Sequence, residues 1–220
     1  MMTGRLVAAR FATTGADNRS YKRDKDGKFS SGGGMSSDDF DSAAAKAVTG
    51  QDALTTASLK TEPAEPQLAA INRYGGDGSY VVNADLRTQS GSADGLTSKN
   101  RTTVERLDSV MESSPLTHDV IVHRHIGTGT RTFGREVDST VGDLTGMSWR
   151  DHAYTSTSVE DRGTGSHRIR LRILAPAGTP AFSHSRLDSD EILLGRGLKF
   201  TVVKDHGPGV VRHLDVVVES

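Results

Sequence analysis

Hydrophobic side chains recur at helical spacing through the middle of the chain. This pattern predicts one helix over residues 67–75, ended by Gly75-Gly76, and a second over residues 79–87. A third helix follows a Gly/Ser-rich loop, and its apolar stripe consists of Val104, Leu107, Val110 and Met111. An earlier Ala-rich segment has acids at its start and Gly50 at its end, which favours a short helix there.

The hydrophobic period changes to two after Pro115, which predicts strands for the rest of the chain. The clearest alternation lies in residues 167–174, where Ile169, Leu171 and Ile173 share one face and Arg168, Arg170 and Arg172 share the other. This is the pattern of a half-buried antiparallel strand. Further strands are predicted over residues 119–126, 152–159, 192–194, 198–203 and 210–218. Helices followed by strands predict an α+β fold with an antiparallel sheet or a sandwich.

The composition of residues 1–36 sets them apart from the rest of the chain. They carry seven basic residues against three acidic ones, a local net charge of +4, and include the flexible sequence Ser30-Ser31-Gly32-Gly33-Gly34. We predict a disordered basic tail over residues 1–36, a short helix and polar linker over residues 37–65, and one folded domain over residues 66–220. The run from Arg23 to Gly32 resembles tails of tailed-phage head proteins, which favours a phage or bacterial origin.

Charge and cysteine content disfavour several classes of function. The net charge of -1 gives no overall attraction to nucleic acid or to an anionic membrane. The absence of Cys excludes disulfides, thiol nucleophiles and thiolate zinc sites. No apolar run reaches membrane-spanning length, and the N-terminus lacks the apolar core of a signal peptide. We therefore expect a soluble protein without a membrane partner.

An acid-rich loop leads into one of the predicted strands. Residues 183–191 are polar and end with three acids, Asp188, Asp190 and Glu191, directly before an aliphatic run. An acidic turn before a strand is a common structural feature. A carboxylate at such a junction can also face a cleft while the sheet fixes its backbone, which is typical of functional residues.

Three kinds of side chain on separate predicted strands can act together. They are Arg124, the hydroxyl cluster Ser156-Thr157-Ser158, and Glu191. Each has an ordinary structural explanation when taken alone. Together they match the needs of a reaction at the ribose of a dinucleotide: a guanidinium can bind a phosphate, a hydroxyl can orient a ribose, and a carboxylate can stabilise an oxocarbenium-like centre.

This order of residues resembles the arginine–serine–glutamate class of ADP-ribosyltransferases, the class of toxins and exoenzymes. The upstream residues are similar as well: Ile71-Asn72-Arg73-Tyr74, Tyr80, Asn83, Leu86-Arg87, Leu107-Asp108 and Pro115-Leu116. After the glutamate come an aliphatic run and an Arg-Gly pair. The resemblance covers residues 66–204 and implies a mixed α/β fold in which two perpendicular sheets enclose NAD.

The resemblance also implies roles for individual residues, with NAD as the substrate and no metal. Arg124 holds NAD phosphate and ribose, and Ser156 positions the nicotinamide ribose and the catalytic acid. Thr157 and Ser158 stiffen that strand beside the cofactor. Glu191 binds the ribose 2′-hydroxyl and stabilises the oxocarbenium ion as nicotinamide leaves. A nucleophile on a target protein then attacks the ribose, so the implied enzyme is an NAD-dependent protein mono-ADP-ribosyltransferase, a glycosyltransferase.

Two positions depart from the family pattern. Ser189 stands two residues before Glu191, where the family usually has Gln or Glu facing the acceptor, so the acceptor type is left open. Asp190 also faces the acceptor side, and it becomes the acid if the loop is shifted by one residue. His125 replaces the Gly that usually follows the arginine. If the backbone of this cofactor-binding position approaches the nicotinamide amide, the imidazole must point away.

Several alternatives remain at this point. Ser189 makes an NAD glycohydrolase credible, and a catalytically silent phage structural component is a third reading. His123 and His125 share a strand face, but surface histidines are commoner than a metal site. The arginine face of residues 168–172 is better explained by solvation than by nucleic-acid binding. The resemblance implies an unknown host target protein and allows delivery into a bacterial host cell.

Overall fold

Among the residues that the structure describes, five α-helices and one π-helical turn precede the first strand. The computed structural model describes residues 35–127, 130–133, 142–162 and 167–219. Residues 1–34 of the predicted basic tail lie outside the described residues. The helices are α1 (Ser37–Ala44), α2 (Gly50–Ala57), α3 (Glu65–Arg73), the π-helical turn (Tyr74–Gly78), α4 (Ser79–Thr88), α5 (Ser98–Glu112) and, after the first strand, α6 (Thr130–Phe133).

Helix α1 begins at a capping serine and packs on the sheet. The Ser36 hydroxyl accepts a hydrogen bond from the Asp39 amide at 3.1 Å, and the acids of the first turn suit the helix dipole. Phe40 is completely buried, with the guanidinium of Arg172 5.0 Å from its ring centre. Asp41 adds an ion pair to Arg172 at 2.9 Å. The predicted Ala-rich helix therefore exists, although it ends at Ala44 rather than near Gly50.

Helix α2 lies where the sequence predicts a polar linker. Ala53, Leu54 and Ala57 are buried against the sheet, so three small or apolar side chains suffice to dock a helix whose other positions are polar. Just before it, Val48 pairs with strand β1 (Val120–Ile126): its amide donates to the Asp119 carbonyl and its carbonyl accepts from the Ile121 amide. Contacts with the sheet therefore stabilise a helix in a segment whose polar composition does not predict one.

A chain that begins at residue 67 is expected to be much less stable than one that begins at Met35. The shorter chain loses the burial of Phe40 and Leu54, which is worth roughly 3–6 kcal/mol, and leaves the backbone of β1 beside Val48 unpaired. Urea unfolding of the two chains measures the difference. Equal unfolding midpoints would show that α1 and α2 are dispensable and that the folded domain starts at residue 66.

The helices α3 and α4 are separated by a kink within the π-helical turn, at the Gly75-Gly76 pair where the sequence predicts that the first helix ends. Gly76 has φ -96° and ψ -155°, a non-helical conformation that interrupts the helical path. Gln67 supports the start of α3, because its side-chain oxygen accepts from the Ala64 amide at 3.0 Å. Tyr74, which directly follows the last residue of α3, is buried.

The described ranges of the second part of the chain form eight strands. They are β1 (Val120–Ile126), β2 (Ser148–Asp151), β3 (Thr155–Ser158), β4 (Ile169–Ala175), β5 (Ala181–Phe182), β6 (Glu191–Leu194), β7 (Leu198–Asp205) and β8 (Arg212–Glu219). Their order in the sheet is β2-β7-β8-β4-β1-β3-β6-β5. All neighbours are antiparallel except β4 and β8, which are parallel. The α+β prediction is confirmed, and β2 and β5 are additional strands.

The two predicted sheets are one hydrogen-bonded sheet in the structure. Strand β1 pairs with β4 along its whole length but meets β3 at one position, His123 opposite Ser158. This single contact joins a half made of β2, β7, β8, β4 and β1 to a half made of β3, β6 and β5. The two halves therefore belong to one sheet, but hydrogen bonding between strands is extensive only within each half.

Hydrophobic clusters lie on both faces of this sheet. The largest includes Val122, Ile173 and Val216, and a second fills the space between α3–α5 and the strands β5 and β6, around Tyr154 and Phe182. The third lies under α1 on the opposite face. Trp149, Tyr154 and Phe182 are all buried in these clusters. No helix among the described residues is long and apolar enough to cross a membrane.

Candidate active site

Arg124 occupies the middle of β1 on the face toward the main hydrophobic cluster. Its Nη1 donates to the carbonyl oxygen of Ser156 on the neighbouring strand at 3.1 Å. Burial lowers the pKa of the Arg124 guanidinium, and the nearby carboxylate of Asp151 opposes that shift. An arginine remains protonated under these conditions, so the site contains a fixed positive charge.

Asp151 organises the surroundings of that arginine. Its carboxylate is nearly inaccessible and accepts two parallel hydrogen bonds from Arg87 of α4, at 3.1 and 3.0 Å. It also accepts from the Thr155 hydroxyl at 3.2 Å and the Ala153 amide at 3.0 Å. A buried carboxylate needs such partners. Asp151 therefore ties α4 to the start of β3, beside Arg124.

Tyr74 adds a hydroxyl to the same cluster. Its oxygen accepts a hydrogen bond from the Asn83 side chain at 2.8 Å. Burial raises the pKa of Tyr74, and the negative charge of Glu191 adds to this shift. The hydrogen bond from Asn83, the charge of Arg124 and the hydroxyl of Ser156 lower the pKa and offset part of the shift. The phenol is therefore neutral near pH 7 and lies among the three predicted site residues.

Glu191 opens strand β6 after a tight turn. Its amide donates to the Asp188 carbonyl at 3.0 Å, and its Oε2 accepts from the Asp188 amide at 3.4 Å. Burial raises the pKa of Glu191, while the Ser156 hydroxyl and the Asp188 amide offset part of that shift. The carboxylate is half-buried beside Ser156, so it can face a ligand from a partly desolvated position.

Different hydroxyls of strand β3 contact the neighbouring acids Asp190 and Glu191. Ser158 lies opposite Glu191 in register, but its hydroxyl donates to Asp190 at 2.6 Å. Ser156 is two residues away on the same face, near Arg124 and Glu191. Thr157 points to the other side, is buried, and donates to the Ile192 carbonyl at 2.6 Å. This arrangement favours Glu191 over Asp190 as the acid of the cluster.

The loop before Glu191 is fixed at two points. The Ser183 amide donates to the Ala57 carbonyl at the end of α2, at 2.9 Å. Leu187 is buried in the cluster around Tyr74. Gly75 lies so close to this loop that a Cβ atom there would come within 2.4 Å of the Arg186 carbonyl oxygen. The close approach explains why glycine follows Tyr74, and it couples the π-helical turn to the loop.

Three predicted site residues lie away from the cluster. The His125 side chain is on the opposite face of β1, where its Nε2 is 2.7 Å from Asp161. A cofactor-binding role is thus open to its backbone and not to its imidazole, because neighbouring strand residues face opposite ways. Ser189 is exposed at the tip of the loop. The Asp190 carboxylate accepts a hydrogen bond from the Ser158 hydroxyl, and its Oδ2 lies 3.8 Å from Nε of Arg162.

The Arg-Gly pair after β6 anchors the site to α5. Arg196 donates to Asp108 through Nε at 3.0 Å and Nη2 at 2.6 Å, and through Nη1 to the Gly91 carbonyl at 2.6 Å. The Tyr154 hydroxyl donates to the same Asp108 at 2.7 Å. These contacts fix the end of β6 against the helices, so the pair has a structural role.

The assembled cluster combines a guanidinium, two hydroxyls and a half-buried carboxylate. Such a set can bind an anionic or polyhydroxyl ligand and can stabilise positive charge that develops on a sugar. Sequence reasoning identified Arg124, Ser156 and Glu191 but not Tyr74 or Asp151 as parts of it. Nothing in the sequence places Asp151 beside Arg124, since strand β2 carries no clear pattern.

The comparison with protein families decides which kind of protein this is. The profile of the ADP-ribosyltransferase exoenzyme family matches residues 52–216. The chain belongs to this family. The resemblance that the sequence predicts is therefore confirmed at the level of the family, whereas a phage origin stays a prediction. A search among curated proteins finds no match.

Solved structures of C3-like exoenzymes share the fold of this exoenzyme-family chain. The Clostridium limosum C3 exoenzyme superposes with a TM-score of 0.64 at 18% identity, over 82% of this chain and 95% of the other. An ADP-ribosyltransferase from Clostridium botulinum gives 0.62 at 17% identity, over 77% and 92%. A third structure, from S. aureus and solved with NAD, gives 0.61 at 21% identity, over 78% and 92%.

Proposed function

We propose that this protein cleaves NAD at the bond between nicotinamide and ribose and transfers the ADP-ribose to a side chain of a target protein. Membership of the ADP-ribosyltransferase exoenzyme family supports the reaction class. The observation that carries the assignment of residues is the convergence of Arg124, Ser156 and Glu191. They lie on the adjacent strands β1, β3 and β6, with Tyr74 among them.

In this proposal the chain provides binding and electrostatic stabilisation. Arg124 pairs with an NAD phosphate, and Ser156 and Tyr74 orient the nicotinamide ribose. When the bond between ribose C1 and the nicotinamide nitrogen breaks, nicotinamide leaves with the electron pair and the ribose becomes positively charged. The Glu191 carboxylate stabilises that charge. A nucleophile then forms a bond to C1, and its proton passes to solvent.

The acceptor is a target protein in the main proposal and water in the alternative. Ser189 is the observation that favours the alternative, an NAD glycohydrolase, because a short hydroxyl at the exposed loop tip offers an acceptor side chain few contacts. The decisive experiment incubates the protein with labelled NAD, with and without a cell lysate, and measures nicotinamide release and protein labelling separately. Absence of nicotinamide release would contradict both proposals. Release without labelling would favour the glycohydrolase.

Replacing Ser189 with Ala is expected to separate the two measurements. Nicotinamide release should change by less than about twofold, because Ser189 faces the acceptor side and lies away from the Glu191 cluster. Protein labelling should change by more than that. Ser185→Ala, another exposed serine of this loop, is the matched control and should alter neither. Equal loss of release and labelling in the Ser189 variant would place Ser189 in NAD cleavage instead.

A further inference from the structure

A cavity of about 260 Å³ opens on the sheet face opposite the active-site cluster. We call it the histidine cavity. Its polar lining comes from β1, β4, β8 and the loops before β4 and β8: His123, Asp161, Arg170, Arg172, His206, His213 and Asp215. None of these residues belongs to the cluster around Glu191.

Strand alternation separates this cavity from the active site. Arg124 lies opposite the buried Leu171 and points to the main hydrophobic cluster, whereas its neighbours His123 and His125 point to the other face. Along the same face, Ile121 is covered by the cluster under α1. The histidine cavity is therefore the part of this face that α1 leaves open.

Two rows of charged side chains cross the three central strands at the cavity. In one row His123 lies opposite Arg172, which lies opposite Asp215. In the next row His125 lies opposite Arg170, which lies opposite His213. Nitrogen donors therefore outnumber carboxylates on this face, and they come from three different strands.

Some of these groups are satisfied within the protein and others are not. Arg172 donates to Asp215 at 2.8 and 3.1 Å, and His206 lies 2.9 Å from the same carboxylate. Within the described ranges, the His123 and His213 imidazoles have no hydrogen-bond partner. Arg170 has an ionic contact to Asp161 at 3.6 Å, which is too long for a hydrogen bond. Three donor groups thus remain open to a ligand.

We propose that the histidine cavity binds a phosphate group, either as inorganic phosphate or as the monoester of a small molecule. A guanidinium and imidazoles are charge-assisted donors for phosphate oxygens. Because the donors surround the cavity from three strands, a tetrahedral anion can meet several of them at once. The described residues contain no group of three His, Cys, Asp or Glu side chains placed to hold a metal ion.

Binding at this site should strengthen as the pH falls. Burial lowers the pKa of His123; Asp161 opposes that shift, while His125 and Arg172 add to it. A bound anion would favour the protonated imidazole and so take up a proton. The charged and titratable groups that face this region from the packed elements are His123 and His125 (β1), Arg170 and Arg172 (β4), His213 and Asp215 (β8), Asp161, His167 and His206 (loops), Asp41 (α1) and Lys204 (β7).

The test follows the imidazole signals of the full chain by NMR while phosphate, 5′-AMP or sulfate is added. The signals of His123, His206 and His213, assigned through single His→Asn variants, should shift and saturate. Sulfate stays doubly charged across the range, so a rise in its affinity from about pH 7.5 to pH 6 would come from protonation of the protein rather than of the ligand. Saturation by both phosphate and 5′-AMP supports a site for the free phosphate group, and saturation by 5′-AMP alone supports a monoester site.

Two variants and one control connect this binding to the cavity. Arg170→Gln should weaken phosphate binding at least about tenfold, because it removes a charged donor. His213→Asn should weaken it about threefold or more; this exposed side chain has no partner to lose, so folding is preserved. The exposed Arg168 lies on the same strand face outside the cavity, and Arg168→Gln should change the affinity less than about twofold.

Three outcomes would overturn the proposal: no saturation at about 10 mM ligand, equal weakening by Arg168→Gln, or unchanged affinity in both cavity variants. Nicotinamide release should stay within about twofold of normal in the Arg170 and His213 variants, since neither residue belongs to the Glu191 cluster. A failure of the NAD proposal would leave these phosphate measurements unaffected, so the two ideas can be judged separately.

Discussion

Replacing Glu191 with Gln is expected to lower the rate of nicotinamide release from NAD by about a hundredfold or more. The change keeps the shape and part of the hydrogen bonding of the side chain but removes its charge. In the proposed reaction the ribose is more positive in the transition state than in the ground state, so the carboxylate acts mainly on the barrier. Removing one such electrostatic contact typically costs about 10²–10³ in rate. NAD affinity, measured by calorimetry, should change much less, because Arg124 provides the phosphate contact.

The pH dependence of the same reaction gives an independent measurement. Burial raises the pKa of Glu191, so the carboxylate becomes protonated at a higher pH than a free glutamate, whose pKa is about 4.3. Activity should fall as the pH decreases through that raised pKa, and the residual activity of Glu191→Gln should lack this acidic limb. The raised pKa also means that folding favours the neutral form. The Gln variant should therefore unfold at no lower urea concentration than the unchanged protein near pH 7.

Asp190→Asn is the matched control for this prediction. Asp190 precedes Glu191, carries the same charge, and is held by the Ser158 hydroxyl on the other side of the turn. Its replacement should leave nicotinamide release within about tenfold of normal, because it acts through the turn and not on the ribose. If Glu191→Gln keeps normal nicotinamide release while Asp190→Asn abolishes it, Asp190 is the acid and the proposed register is contradicted.

The sequence was sufficient to predict the residues that the sheet brings together. Arg124, Ser156 and Glu191 lie on separate predicted strands, and they were singled out by the chemistry that they offer together and by their order, which resembles that of the family. The β4 pattern also predicted which face is buried, since Ile169, Leu171 and Ile173 all lie in the core. Local alternation determines this face, so it is visible in a sequence without knowledge of the fold.

Features that depend on contacts between distant segments were not predictable in this way. Asp151 accepts a hydrogen bond from Arg87, which lies 64 positions away in the sequence, and no local pattern predicts that pair. Helix α2 is polar at most positions and becomes a helix because Leu54 and its small neighbours dock on the sheet. The close approach of Gly75 to the Arg186 carbonyl is likewise a contact between distant segments. In each case tertiary packing outweighs local propensity.

The largest stability loss is expected from Asp205→Ala. Asp205 and Arg212 form an ion pair between β7 and β8, and each side chain is 1% exposed. The carboxylate also accepts from the amides of Leu144 and Gly207, both at 2.9 Å. Removing it leaves the Arg212 guanidinium buried without its carboxylate partner, and breaking a buried pair in this way costs about 3–5 kcal/mol.

The pH dependence of stability distinguishes this loss from a simple packing defect. Burial alone would raise the pKa of Asp205, but hydrogen bonds from Arg212, Leu144 and Gly207 outweigh it and lower that pKa. Because the folded pKa lies below the unfolded value of about 3.9, the stabilisation is fully present above that pH and is lost as the pH falls through the folded pKa. Urea unfolding should therefore show a large gap in the free energy of unfolding between the unchanged protein and Asp205→Ala at pH 7, and this gap should narrow below about pH 4.

Asp41→Ala, which removes the exposed partner of Arg172, is the matched control and should cost less than about 1 kcal/mol. A gap that stays constant with pH, or one no larger than that of the Asp41 variant, would show that the ion pair contributes little to the stability of the sheet.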